Sequence, residues 1–258
     1  MYKVSKNIKI FSLTLMVIGV LGLGFSFYSA PKTIEQAKEM VADSHSDDHQ
    51  KVESHISEET HAPEDLHGSS DTHNEEVAHS SSHDEHLLHY LQNRPWSALY
   101  VAALFFMFLS LGTLAFYAIQ RASQAGWSPL LFRVMEGITA YLLPGTLIIL
   151  LILILSSLHL NHLFVWMDPE VVAHDKIIQG KVGYLNSPFL IARAVFYIAG
   201  WNFYRYISRK YSLAQDNSSD ISNHTKNFKW SAGFLAFFIV TESMMSWDWI
   251  MSVDPHWF

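Results

Sequence analysis

Five long apolar runs, separated by polar segments, dominate the chain. They cover residues 10–30, 95–120, 137–167, 187–204 and 228–251. A helix of about 20 apolar residues crosses a hydrocarbon core of roughly 30 Å, so each run is long enough. The third run exceeds one crossing, and part of it is expected in a loop or at the interface. The sequence therefore predicts an all-α integral membrane protein, with one N-terminal transmembrane helix followed by a four-helix transmembrane bundle.

The first apolar run could belong to a secretory signal peptide or to a membrane anchor, because it follows Lys3, Lys6 and Lys9. A signal peptide has an apolar region of about 7 to 15 residues and small residues before its cleavage site. This run is longer, and Tyr28 interrupts the small-residue pattern before Pro31. The pattern favours an uncleaved transmembrane helix.

The distribution of Lys and Arg predicts the orientation, since basic residues near helix ends resist translocation. With a cytoplasmic N-terminus, ten of the 17 Lys and Arg residues lie in inner segments and six in outer ones. This arrangement predicts a multi-pass protein of the inner (cytoplasmic) membrane. Segment 31–94, the loop 160–186 and residues 252–256 are then periplasmic.

Residues 31–94 differ in composition from the rest of the chain. Thirteen of the 24 acidic residues lie between Asp43 and Glu85, and large apolar residues are almost absent there. Such a segment cannot bury enough apolar surface to offset the entropy lost on folding. We therefore expect an N-terminal helix within 1–30, a disordered periplasmic linker over 31–94, and the bundle over 95–258.

Histidines recur in this linker at intervals of six residues. Six residues advance an α-helix by about 240°, so the imidazoles would not share one helical face. A flexible string of imidazoles and carboxylates could bind zinc, copper or nickel, or buffer protons near neutral pH. The simpler interpretation is a solvated linker without a specific ligand. The candidate metal ligands are His49, His55, His61, His67, His73 and His79.

The absence of cysteine excludes several redox centres from this chain. Without thiols it can hold no thiolate metal site, no iron–sulfur cluster and no covalently attached haem, so such centres would belong to partners. The net charge of −7 comes from the linker, and no basic patch predicts a nucleic-acid partner. No phosphate-binding glycine loop or catalytic triad is present, which predicts that the chain is not catalytic alone.

Ionisable residues within the apolar runs are candidates for function. Glu242 lies near the middle of the fifth run, where an ionised side chain costs at least about 2.5–3.5 kcal/mol. With Thr241 and Ser246 it could form part of a proton path, or it could be a neutral carboxyl bonded to a neighbouring helix. Arg193 is predicted to approach the level of Glu242 and could pair with it, or could extend to the headgroups instead. Asp248 could be a proton exit.

Four further polar residues are predicted at the periplasmic end. His159 and His162, spaced i, i+3, are expected on one face at the end of the third helix. They could contact a quinol, exchange protons, bind a metal, or be polar interfacial residues only. Asp254 precedes a proline and marks the end of the fifth helix. Together with His256 it could be an outer polar site or a helix cap.

Glu136 is the candidate at the cytoplasmic end. It precedes the third apolar run, where a carboxylate favours a helix N-terminus. It could also open an inner proton path, but of the two roles we expect the one at the helix N-terminus.

Six segments carry a resemblance to a known family. They read PWSALY (95–100), AGWSP (125–129), FRVMEGITAY (132–141), HLNH (159–162), GWNFYR (200–205) and TESMMSWDWIMSVDPHWF (241–258). The chain from Pro95 onward thus resembles polysulfide-reductase-like (NrfD-type) membrane subunits, specifically those of bacterial alternative complex III. Members of that family carry a second helix bundle that this sequence does not reach, so we interpret the chain as the N-terminal half of an NrfD-like fold.

The resemblance implies membership of a respiratory quinol:cytochrome c (or oxidase) electron-transfer complex. Quinone or menaquinone would be the membrane substrate. Haem c and iron–sulfur clusters would lie in partners, namely multihaem cytochrome c, iron–sulfur and second NrfD-like subunits. This chain would contribute scaffold, a quinone contact and a proton path in the lipid membrane. The alternative is a metal-ion transporter or sensor with a His-rich extracytoplasmic loop.

Overall fold

The computed structural model describes residues 5–40 and 73–257. Within these ranges all regular secondary structure is helical. The chain divides into two compact units, Met1–Trp96 and Ser97–Phe258. Helix α1 covers Lys6–Tyr28, and the Ser5 hydroxyl accepts a hydrogen bond from the Ile8 amide at its start. None of the residues of α1 is buried, as expected of a helix whose apolar side chains face lipid.

A short helix, α2 (34–40), precedes the long helix α3, which covers His73–Ala122. The apolar run that predicts the second membrane helix begins at Pro95. Pro95 lies inside α3, and the helix-favouring Glu, Ala, Leu and Gln residues before it extend the helix toward the N-terminus. The predicted disorder is therefore wrong for residues 34–40 and 73–94.

The repeated histidines fall largely outside the described residues. His49, His55, His61 and His67 lie there, and for His73 and His79 only the helical backbone is described. The predicted metal binding of this segment stays a prediction. Among the described residues, no three His, Asp or Glu side chains converge in a way that could hold a metal ion.

Within residues 5–40 and 73–257, four helical stretches are long and apolar enough to cross a membrane: Lys6–Tyr28, Leu91–Ala122, Phe132–Ser157 and Ser222–Val253. Helix α8, Ser187–Asp216, is less apolar, but its 30 residues extend about 45 Å at 1.5 Å per residue. These helices confirm the predicted all-α membrane protein.

The third membrane stretch is built from three successive pieces. Helix α4 covers Phe132–Ile138, a 3₁₀ turn covers Thr139–Tyr141, and α5 covers Leu142–Ser157. The Ser110 hydroxyl donates to the Ile138 carbonyl at 2.7 Å, so this carbonyl keeps a partner where the helix tightens. Beyond α5 the chain leaves the helix, which confirms that part of the run 137–167 lies in a loop.

Two short helices, α6 (Pro169–His174) and α7 (Lys176–Lys181), connect α5 to α8. Helix α9 covers Ser222–Met245 and continues as a π-helical segment, Ser246–Ile250. A 3₁₀ turn, Met251–Val253, ends this stretch just before Asp254, as predicted. Helices α8 and α9 pack closely along their lengths and position most of the buried polar side chains.

Gly200 permits the close approach of α8 and α9. A Cβ atom at this position would lie 2.3 Å from Cζ of the half-buried Phe237 ring. We expect Gly200→Ala to lower the free energy of unfolding by about 1–3 kcal/mol, as overpacking typically does. Denaturant titration of the protein in detergent micelles measures this loss.

Two further variants test the steric cause. Combining Gly200→Ala with Phe237→Ala should cost less than the sum of the two single changes. Gly233→Ala is the matched control, because a Cβ there meets no atom within 4 Å and should leave stability unchanged or slightly higher. Equal losses from Gly200→Ala and Gly233→Ala would contradict the steric explanation.

Candidate functional site

Buried polar side chains form a cluster near the start of α8, which we call the Arg193 cluster. Its members are Tyr184, Phe189, Arg193, Tyr197 and Asp248. The Arg193 guanidinium donates to both oxygens of the Asp248 carboxylate, each at 2.7 Å. The two side chains are only 6% and 0% exposed. A bidentate ion pair of this geometry offsets much of the loss of hydration of each charge.

Aromatic rings enclose the guanidinium of this pair. Its carbon lies 4.0 Å from the centre of the Tyr184 ring and 4.2 Å from that of Phe189. The Asn186 side chain accepts from the Phe189 amide at 3.0 Å and fixes the first turn of α8. The Tyr197 hydroxyl donates to Asp248 at 3.1 Å, which leaves the carboxylate with three donors.

The π-helical segment determines where Asp248 points. A π turn inserts one residue more than an α turn holds, and such segments occur often at functional sites. Asp248 lies in the middle of this segment, which begins at Ser246. The Tyr100 hydroxyl donates to the carbonyl of Trp249 at 2.7 Å and supplies a partner within the irregular turn.

The predicted pairing of Arg193 with Glu242 is wrong. Arg193 lies only six residues into α8, and Asp248 is closer than Glu242 to that end of the bundle. Arg193 also does not extend to the headgroups, because its guanidinium is buried. The Glu242 carboxyl is half-buried and has no hydrogen-bond or ion-pair partner in the part of the chain that the structure describes.

A second group of side chains, the Arg121 cluster, lies toward the other end of α8 and surrounds a buried arginine. Arg121 is 6% exposed. It donates to the Tyr117 hydroxyl at 3.0 Å and to the Ser212 hydroxyl at 3.3 Å. Its guanidinium also lies 3.9 Å from the centre of the Phe132 ring. The members are Tyr117, Arg121, Phe132, Arg133, Glu136, Ser212, Asp216, His224 and Asn227.

The Tyr117 hydroxyl joins three helices within the Arg121 cluster. It donates to Glu136 at 3.3 Å and accepts from Asn227 at 3.4 Å, besides its bond to Arg121. Arg133 donates to the other oxygen of Glu136 at 2.7 Å and also forms an ion pair with Asp216. The cluster therefore balances two guanidinium groups with two carboxylates.

Glu136 does not have the predicted place at a helix N-terminus. Helix α4 begins at Phe132, so Glu136 lies beyond its first turn and is 6% exposed. Its carboxylate is held by Arg133 and Tyr117 instead of by backbone amides. The alternative prediction, a role in an inner polar path, is compatible with this position.

An imidazole also contacts the Arg121 cluster. The Nδ1 atom of His224 lies 3.4 Å from an Arg121 nitrogen. Arg121 can only donate, so Nδ1 accepts and the ring proton of this tautomer lies on Nε2.

Hydrogen bonds between α8 and α9 connect the two clusters in part. We call this row the polar ladder. On α8 its members recur every three or four residues, so they share one helical face. The pairs are Ser208 with Asn227 (3.1 Å), Tyr204 with Ser231 (2.8 Å), Trp201 with Thr241 (3.0 Å) and Tyr197 with Asp248 (3.1 Å).

The polar ladder is interrupted between Ser231 and Thr241. Phe234 lies in this interval and stacks on the Tyr204 ring, with centres 3.9 Å apart. Glu242, one residue beyond Thr241 on α9, is half-buried. The ladder thus reaches from each cluster toward the middle of the bundle without a continuous row of hydrogen bonds.

The sequence alone did not single out Tyr117, Arg121 and Asn227. Arg121 only marked the end of an apolar run, and Asn227 preceded the predicted fifth helix. A usable signal exists in the spacing of small polar residues on α8 and α9, where Ser208 and Ser212 are four apart, as are Asn227 and Ser231. Polar residues at helical spacing indicate a buried polar face when the surrounding sequence is apolar.

The outer histidines differ from their predicted arrangement. Helix α5 ends at Ser157, so His159 and His162 lie beyond it and do not share a helical face. His159 has a φ of 56°, the left-handed conformation that often follows a helix. Both histidines are exposed, as the interfacial interpretation expects.

His256 lies between two carboxylates near the connection of α6 and α7. Its Nε2 atom is 2.6 Å from Asp175, and its Nδ1 atom is 3.3 Å from Asp254. The hydrogen bond to Asp175 is the largest cause that raises the pKa of His256 above its ordinary value. Asp254 thus binds His256 as well as ending the helical stretch.

This contact should depend on pH. Folding raises the pKa of His256, so the contact is complete below the unfolded-state pKa, near 6.5, and is lost as pH rises through the raised value. We expect Asp175→Asn to lower the pKa of His256, measured by NMR titration of the resonance that disappears in His256→Gln. Glu170→Gln on α6 should not change it, and an equal pKa in Asp175→Asn would contradict the assignment.

The site therefore consists of two charge-balanced clusters, each with a buried arginine, joined by an interrupted polar ladder. This arrangement can hold charge and protons within an apolar bundle. Comparison of the sequence with models of known protein families finds no match, and no curated protein matches it.

Proposed function

We propose that this chain is a membrane subunit of a respiratory quinol:cytochrome c (or oxidase) electron-transfer complex. It contributes scaffold, a quinone contact and a path for protons, while partner subunits carry haem c and iron–sulfur clusters. The observation that supports this proposal most is the polar ladder between two buried clusters, because buried ionisable groups in membrane helices commonly mark proton relays.

The Arg121 cluster supplies one end of the proposed proton path. From Glu136, hydrogen bonds run through the hydroxyl of Tyr117 to Asn227 and then to Ser208. Hydroxyl groups both donate and accept, so Tyr117 and Ser208 can pass a proton by rotating. The Asn227 amide orients both groups, and in this proposal water carries the proton past its nitrogen, which only donates. In this proposal Glu136 exchanges protons with the cytoplasmic side.

Glu242 carries the proton past the apolar interval of the ladder. It is the one carboxyl on α9, and no partner holds it in the described part of the chain. An ionised Glu242 facing lipid would cost at least about 2.5–3.5 kcal/mol. Its half-exposed position therefore favours a covering protein surface, which agrees with a subunit of a larger complex.

The Arg193 cluster forms the other end of the path, near the proposed quinone contact. Asp248 is held by Arg193 and Tyr197, and Thr241 extends the ladder toward it. Asp248 is occupied by these hydrogen bonds, and Tyr197 is the hydroxyl that can relay. His159 and His162 follow α5 at this end and are the proposed quinone contacts.

Glu242→Gln tests the proposed proton path. We expect proton release during quinol turnover by the complex, purified from its native membrane, to fall about ten-fold, since a positioned acid–base group contributes roughly 10²–10⁴-fold and water can replace part of it. Subunit composition and haem spectra should be unchanged. Glu170→Gln, in the loop, is the control, and unaltered proton release in Glu242→Gln would contradict the path.

Deletion of residues 43–89 tests the subunit role against metal transport. The proposal predicts unchanged quinol-dependent respiration and unchanged co-purification of haem-containing chains. If the deletion abolishes metal uptake, and if no haem-containing chain co-purifies with the protein, the result would contradict the proposal. It would support the metal transporter instead.

A further inference from the structure

Two arginines on α8 lack a counter-ion. Arg205 and Arg209 are one helical turn apart on the same side of the helix, and neither pairs with a carboxylate in the described part of the chain. The Nε atom of Arg205 is buried and has no hydrogen-bond partner. Like charges four residues apart repel each other, and a buried donor without a partner is destabilising. Both features indicate an anion that the described part of the chain does not supply.

The two arginines adjoin the groove between α5 and α8. Asn202, three residues before Arg205 on the same side of α8, donates to the Thr146 hydroxyl of α5 at 3.3 Å. The rise of 1.5 Å per residue places Arg205 about 27 Å from the start of α8. With the start of α8 at one face of a hydrocarbon core roughly 30 Å thick, the guanidinium groups lie near the level of the phosphates of the other leaflet.

We propose that Arg205 and Arg209 bind the phosphate of an anionic phospholipid in the α5–α8 groove. Guanidinium groups bind phosphate oxygens with paired, directional hydrogen bonds, and basic pockets between transmembrane helices bind lipid headgroups. On α5, Leu143 and Leu147 are 46% and 51% exposed near the same level. Their side chains give the acyl chains an apolar surface, which a free phosphate ion would not use.

The test uses the full-length protein in detergent, with thermal stability as the readout. Dioleoylphosphatidylglycerol should stabilise the protein at a concentration about ten-fold below that required for dioleoylphosphatidylcholine, since each basic contact with an anionic headgroup strengthens binding several-fold. Arg205→Gln/Arg209→Gln should remove this preference. Arg205→Lys/Arg209→Lys should keep part of it, because charge remains but the paired geometry is lost.

Control measurements separate this site from general charge. Lys229→Gln removes an exposed positive charge from α9 and should keep the lipid preference. If the double glutamine variant does not fold, Arg209→Gln alone, at an exposed position, should lower the preference. The proposal is overturned if the two lipids act equally on the wild type, if inorganic phosphate stabilises as well as phosphatidylglycerol, or if Lys229→Gln and Arg205→Gln/Arg209→Gln behave alike.

Discussion

Asp248→Asn is expected to lower the free energy of unfolding by about 3–5 kcal/mol. The change keeps the shape of the side chain but leaves the Arg193 guanidinium buried without a negative partner, and Arg193 is only 6% exposed. The Tyr197 hydroxyl loses its charged acceptor as well. Denaturant titration in detergent micelles measures the loss.

Asp216→Asn is the matched control for this prediction. It breaks an ion pair with Arg133 in which the side chains are 57% and 42% exposed. Exposed ion pairs contribute about 0–1 kcal/mol, so this change should be small. Replacing the buried pair together, as Arg193→Met/Asp248→Leu, should recover much of the stability lost in Asp248→Asn. If Asp248→Asn and Asp216→Asn lower the free energy of unfolding by similar amounts, burial of the Arg193–Asp248 pair does not explain the loss.

Tyr117→Phe is expected to slow proton transfer through the complex about 100-fold. The hydroxyl of Tyr117 is the described link between Glu136 and Asn227, and proton transfer through a positioned group contributes roughly 10²–10⁴-fold. The phenyl ring retains its contact with Phe132, whose ring centre lies 5.2 Å away. Proton release per quinol oxidised, measured with a pH-sensitive dye, gives the result.

Tyr206→Phe provides the control for the loss of a hydroxyl. Tyr206 is on α8 but is 68% exposed and lies outside the polar ladder. Proton release should be unchanged in this variant. If Tyr117→Phe retains normal proton release while assembly is intact, protons do not follow the Glu136–Tyr117–Asn227 connection.

Apolar runs in the sequence predicted the membrane helices well because the bilayer imposes both length and composition on them. They did not predict how far helices continue outside the apolar region. Helix α8 runs to Asp216 although its apolar run ends at Tyr204, and α3 begins at His73. Polar helical extensions carry no hydropathy signal, so the apolar run that begins at Pro95 does not show how far the helix extends toward the N-terminus.

Sequence reasoning selected several residues that the structure places in the two clusters, but not their partners. Rarity of charge in apolar surroundings marked Arg193 and Asp248 as unusual, and Glu136 was selected because it precedes an apolar run. Their pairing depends on the register of α8 against α9 and on the π-helical segment, which local sequence does not reveal. Arg193 was accordingly predicted to reach Glu242, whereas the extra residue of the π turn brings Asp248 to it.

The proposed proton path requires that the Arg193 cluster and the Arg121 cluster lie toward opposite sides of a membrane. Measuring this placement is the most direct test of the path. The chain has no cysteine, so single cysteines can be introduced without a background. We predict that Ile177→Cys in α7 reacts with a membrane-impermeant maleimide in intact spheroplasts, and that Ser219→Cys between α8 and α9 reacts only after permeabilisation. Val195→Cys, on the exposed apolar side of α8, should react in neither state. Reaction of positions 177 and 219 from the same side would contradict the account.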